Sequence, residues 1–164
     1  MMTEKIRFFR TKKGGWDGYD VEVPEEYETL KSFLTYDVCL HPYSCRGLLL
    51  WIDAVLDGRT SNDSWGGNSC FAHIYPDKTL IQSGFSEINF EDPTLEKLST
   101  KEFRDIIQKC LDFNIQQGRD ITDEEIRYQI EEFNHALEKK HRKDLCPGIK
   151  RLIMFLAVWH GLLF

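Results

Sequence analysis

The chain has 164 residues, 41% hydrophobic and 13% aromatic, and its 21 Lys and Arg against 27 Asp and Glu give a formal net charge of −6. At this length one domain buries roughly two thirds of its unfolded surface, and eleven Phe and four Trp exclude disorder as the main state. The acidity weighs against direct nucleic-acid binding, which depends on clustered Lys and Arg that release counterions from phosphate, and favours basic protein partners.

The first residues, MMTEKIRFFRTKK, are charged early and contain no seven-residue apolar run, so no secretory signal is expected and the expected compartment is the cytoplasm. Five Cys at irregular spacing (39, 45, 70, 110 and 146) are then expected as reduced, structural thiols. Ile6 to Arg10 and the period-two run Tyr19 to Val23 predict two strands joined through KKGGWDG into a hairpin. Trp16 in that loop either folds back on the domain or meets a partner.

Glu25 to Leu34 predicts a short helix, with acidic residues at its start, and Tyr36 to Leu40 a strand. From Cys45 to Gly58, apolar residues at three- and four-residue spacing (Leu48, Leu49, Trp51, Ile52, Val55, Leu56) predict a helix, with Gly58 at its C-terminal turn. Arg59 to Ser64 reads as a loop entering a Trp65-Gly66-Gly67-Asn68 bend. Cys70 to Tyr75 and Thr79 to Ser83 flank Pro76-Asp77-Lys78 as a second hairpin.

Two S/T-x-x-E signatures, Ser99 to Glu102 and Thr122 to Glu125, each precede helical apolar spacing: Phe103, Ile106, Ile107, Cys110 and Leu111, then Ile126, Ile130, Phe133 and Leu137. A turn around Gly118 separates the two helices, and Cys146-Pro147-Gly148 is expected to close the second. The expected fold is α+β: an antiparallel sheet of hairpins with helices packed on one face and a helical C-terminal third. A single domain is expected over 1–164, with a mixed strand and helix part at 1–98, two capped amphipathic helices at 99–144 and an apolar element at 145–164. Leu152 to Phe164 is apolar but only thirteen residues long, short of the about twenty that cross a bilayer. It is read as a buried or partner-covered element, with a frayed tail or interfacial anchoring as alternatives.

No arrangement of residues predicts catalysis, and no cofactor is expected. Cys39, His41 and Cys45 offer three soft ligands without a convincing fourth, since His73 and Cys146 stand in unrelated contexts; no metal is expected. Cys70 and His73 fall on opposite faces of a strand and cannot work as a nucleophile and base. The two glycine-rich runs lack any phosphate-binding pattern.

Charge is uneven. Residues 24 to 98 hold twelve carboxylates against five basic side chains, and there Asp53, Asp57, Asn62, Asp63, Trp65 and Asn68 form the predicted partner-binding surface. Carboxylates speed encounter with a basic protein, and a buried aromatic supplies hot-spot energy. The alternative is that Trp65 is core and the acids only solubilise.

The runs Trp16 to Asp20, Trp51 to Thr60, Ser64 to Asn68 and Leu98 to Arg104 resemble a group of small bacterial proteins that includes cognate immunity proteins of contact-dependent growth inhibition and related polymorphic toxin systems. The resemblance extends over Ile6 to Asn114. It implies a non-enzymatic inhibitor that binds and blocks a cognate toxin in the cytoplasm, the toxin being a basic protein such as a nuclease. A cytosolic scaffold domain and a small Cys/His metal-dependent enzyme are the rival classes.

Overall fold

In a computed structural model describing residues 1–13, 16–38, 40–66, 69–84 and 95–159, the N-terminal hairpin is the first large element. It follows a single helical turn, α1 (Met2–Lys5), and pairs β1 (Arg7–Lys13) antiparallel with β2 (Trp16–Glu22). Phe8 lies opposite Val21, and both are buried on one face of the ribbon. The strands run closer to the turn than the sequence predicts: Trp16 belongs to β2 and pairs with Lys13, while its side chain lies outside those described.

A 3-10 turn (Glu25–Tyr27) then leads into α2 (Glu28–Ser32), which continues as a π-helical turn over Phe33–Asp37. The strand expected at Tyr36 to Leu40 is therefore corrected. Leu30, Phe33 and Leu34 share the inward face of a helix and are fully buried, and Asp37 fixes the end of the π turn by accepting the amides of Ser69 at 3.0 Å and Cys70 at 2.9 Å. Leu40 turns the chain with a left-handed φ of 43°.

α3 (Pro42–Leu56) starts where proline is best tolerated, at its first turn, with the His41 ring accepting the Tyr43 amide at 3.2 Å. Cys45, Leu48, Ile52 and Val55 fill its inward face. Gly58, at φ 72°, supplies the left-handed residue that follows.

A four-stranded antiparallel sheet comes next, in the order β3 (Asp63–Gly66), β4 (Cys70–Ile74), β5 (Thr79–Ser83) and β6 (Glu96–Leu98). The predicted hairpin is β4–β5. The predicted loop holds over Arg59 to Asn62; its last two residues and the first two of the bend are corrected, because Asp63 to Gly66 pair with Ile74 to Phe71 as a strand, and Gly67 and Asn68 lie outside the described residues. Gly66 is obligatory there: a Cβ would stand 2.7 Å from the Phe71 ring carbon Cγ and 2.8 Å from the Cys70 carbonyl oxygen. Cys70, Ala72, Ile74, Ile81 and Leu98 form the sheet's core-facing side.

α4 (Thr100–Gln116) packs along α3 through Phe103, Ile106, Ile107 and Cys110, all fully buried. Ser99 Oγ caps it by accepting the Glu102 amide at 3.2 Å, but the Glu102 carboxylate completes no box and instead accepts the amide of Met2. The second box is complete: Thr122 Oγ1 accepts the Glu125 amide at 3.2 Å and the Glu125 carboxylate accepts the Thr122 amide at 2.7 Å. It opens α5 (Asp123–Trp159), which runs through Cys146-Pro147-Gly148, where the sequence predicts a stop. An interior proline removes one ladder donor and crowds the carbonyl four residues back, and Cys146 and Gly148 are poor helix formers, so nothing in the local sequence accounts for the continuation. The backbone of the apolar tail is helical as far as Trp159; residues 160–164 lie outside those described.

The fold is thus α+β, with two antiparallel sheets and a helical C-terminal region. Two compact units divide the chain, Met1–Ile126 and Arg127–Phe164, with the boundary inside α5. Among the described residues no helix is long and apolar enough to cross a membrane.

Candidate functional site: an acidic corner at the end of α3

Helical spacing places Asp53 and Asp57 on one face of α3, at the end where unsatisfied carbonyls add partial negative charge. Carboxylates are unfavourable at that end unless cations approach, and two arginines do. Arg104 of α4 donates from Nε to Asp53 Oδ1 at 2.5 Å and from Nη2 to Oδ2 at 3.3 Å, and Arg59 donates to Asp57 Oδ2 at 3.2 Å. Asp53 is about one third exposed, whereas the Asp57 side chain is 64% exposed.

The hydrogen bond from Arg104 to Asp53 raises the guanidinium pKa above its ordinary value; partial burial opposes this, and the charges of Asp53, Asp105 and Asp57 reinforce it. Asp53 is the carboxylate bonded to Arg104; Asp57 is bonded to Arg59, and the exposed Asp105 follows Arg104 on α4. Asp105 is the carboxylate sequence reasoning missed. Its only signal is its place on α4 next to Arg104, on the side away from Phe103, Ile106 and Ile107.

Beyond α3 the chain is tied back by the Thr60 amide donating to the Ala54 carbonyl at 3.1 Å and the Thr60 hydroxyl donating to the Asn62 carbonyl at 3.1 Å. This short tether delivers Asp63 to the start of β3, where its Oδ1 accepts the Ser64 amide at 2.7 Å. Asp63 and Trp65, two apart on a strand, share the half-buried side of β3, and Trp65 packs against the margin of the core. Asn62 is exposed. Asn68 lies outside the described residues. Of the six predicted residues, the fold places Asp53 and Asp57 on one helical face and ties Asn62, Asp63 and Trp65 closely behind them. It engages Asp53 in an inter-helix pair and leaves Asp57 the most open carboxylate of the α3 face.

Among the described residues the other sequence candidates do not come together. His41 caps α3, and Cys45 Sγ lies 3.4 Å from Cys110 Sγ in the core between α3 and α4. Cys39 and the Cys146 side chain lie outside those described. Cys70 faces the core and His73 the opposite side of β4, as strand alternation requires. Among the described residues no three His, Cys, Asp or Glu side chains come together as a metal site.

No family model, no curated protein and no solved structure matches the chain.

Proposed function

We propose that the protein is a toxin-neutralising immunity protein that acts without catalysis, binding a basic cognate toxin, of the nuclease class, in the cytoplasm and blocking it. The reading rests first on the acidic corner. The negative end of α3 carries Asp53 and Asp57, Asp105 of α4 joins them, and their combined field attracts a partner whose own groove is built to hold phosphate. A carboxylate surface substitutes for the phosphates such a groove binds. The resemblance of the Trp51 to Thr60 and Ser64 to Asn68 runs to immunity proteins points to the same stretch of chain.

Affinity in such a complex needs an apolar anchor as well as charge, because charge mainly sets the rate of encounter. Trp65 is the residue assigned to that task, with Asn62 and Asn68 as hydrogen-bonding neighbours. Co-expression with the product of the adjacent gene tests the proposal. A stoichiometric complex that co-purifies and suppresses the toxin's activity is expected, and an adjacent gene product that is neither toxic nor bound would contradict it.

A further inference from the structure

A concave site, sharing no residue with the acidic corner, lies between the N-terminal hairpin and α2. It encloses about 480 Å3, within the range of small-molecule sites, but its walls are polar rather than apolar. Helical spacing builds one wall: Glu28, Lys31, Ser32 and Thr35 form the face of α2 and its π turn opposite the buried Leu30, Phe33 and Leu34. Tyr19 and Asp20 of β2 form the facing wall. The Tyr19 ring is a fixed platform, since Phe113 meets it edge-on with centroids 5.7 Å apart and the Arg119 guanidinium lies 4.2 Å from its centroid.

Three observations indicate a ligand. Glu28 and Lys31 stand one turn apart with the geometry of a helical ion pair, yet among the described residues neither forms one. The Thr35 hydroxyl is shielded from water and has no hydrogen-bond partner, a condition that costs about 1–3 kcal/mol when left unmet. The wall itself is a π-helical turn, a departure from α geometry that recurs at functional sites. A cleft holding the Lys31 ammonium and the Glu28 carboxylate, which do not pair with each other, beside hydroxyls and a fixed aromatic ring, is complementary to a molecule carrying both charges.

We propose that the cleft between the β1–β2 hairpin and α2 binds a small zwitterion of the free amino acid or dipeptide class, with the ligand's ammonium at Glu28 and Asp20 and its carboxylate at Lys31 and Ser32. The site is independent of toxin binding. The ligand's two charges meet side chains one helical turn apart, and Tyr19 provides a surface for its side chain. Thr35 lines the same wall, with its hydroxyl unpartnered.

The test is an amide-resolved NMR titration of the full chain with free amino acids and simple dipeptides, each strong binder then compared with its decarboxylated amine and its N-acetyl form. Saturable shifts are expected at Asp20, Lys31, Ser32 and Tyr36. Loss of either charge on the probe, or Lys31→Met or Glu28→Gln in the protein, weakens binding about tenfold or more, the scale of one charge-assisted hydrogen bond. Lys31→Met keeps toxin neutralisation, so this site and the acidic corner fail separately. Absence of saturable shifts at millimolar concentration overturns the proposal. So does an amine lacking a carboxylate that binds as tightly as its parent with no dependence on Lys31, since the cleft would then read basic side chains of a peptide.

Discussion

Arg104 and Asp53 are 51 positions apart, and they join α4 to α3 through two hydrogen bonds, the shorter 2.5 Å. The pair gives one of the predicted binding residues a structural task. Both side chains are about one third exposed, so solvent screens them and the pair contributes no more than about 1 kcal/mol to stability. Asp53→Ala and Arg104→Ala are expected to lower stability by similar small amounts in denaturant unfolding. The double variant should lose less than the two single losses together, the mark of a direct interaction. Strict additivity would show that the pair does not couple the helices.

Glu96 couples sheet to helix, accepting the amides of Thr29 at 2.6 Å and Leu30 at 2.8 Å at the start of α2. Burial raises its pKa above the ordinary 4.5, outweighing the amides that favour the charged form. A raised carboxylate gives stability that is fully present below about 4.5 and lost as pH rises through the folded-state value. Unfolding curves from about pH 3.5 to 7 should therefore show the wild type losing stability relative to Glu96→Gln as pH rises, and a constant gap would contradict the assignment. Asp120 carries the opposite sign. Its pKa is lowered by hydrogen bonds from Arg46, so its small contribution is present above 3.8 and disappears as pH falls further.

Gly66 should tolerate no side chain. The Cβ of Gly66→Ala meets the backbone oxygen of Cys70 as well as the Phe71 ring, and backbone cannot swing aside. A loss of about 1–3 kcal/mol is expected, the usual cost of overpacking, read from the denaturation midpoint. A variant as stable as the wild type would mean that β3 shifts freely on β4.

Three thiols should be inert in the native state. Burial, with Asp37 and Glu96 nearby, pushes Cys70 up to about 11; Cys110 is raised by its hydrogen bond with Cys45 and by burial. Thiolate is the reactive form, so a thiol reagent near neutral pH should label Cys45, Cys70 and Cys110 only on unfolding. Reductant should leave the thermal midpoint unchanged. Rapid native labelling of any of the three would show that the core opens readily.

What the sequence revealed was local. The β1–β2 and β4–β5 hairpins have period-two runs around turns, α3 has its apolar stripe and Gly58, and α4 and α5 announce themselves through Ser99 and Thr122. What it concealed depends on contacts across the chain. β3 is four residues with two polar side chains and a glycine, and only its ladder with β4 makes it a strand. The π turn ending at Asp37 is held by amides 32 and 33 positions away, so its residues read equally well as strand. Asp53 and Asp57 were legible as a carboxylate face, but Arg104 and Asp105 join them only through the packing of α3 on α4.

Trp65 provides a sharper test of the site than the carboxylates alone, because its half-buried ring touches the core margin and is also the proposed anchor. Trp65→Ala is expected to speed dissociation of the toxin, at a cost on the order of 2 kcal/mol or more, while the chain still unfolds cooperatively. An unfolded variant would assign the ring to the core and remove it from the interface.

The most direct measurement is the association rate of an inactivated toxin with the Asp57→Lys, Asp63→Lys double variant, whose fold circular dichroism should find intact because Asp57 is exposed and Asp63 sits half-buried at the first residue of β3, where a long side chain can reach solvent. The account predicts slower association than wild type, a difference that shrinks as salt screens the field, and weaker protection at low expression. An unaltered association rate would contradict it and move the contact surface elsewhere, to the Glu124 to Glu138 stretch of α5.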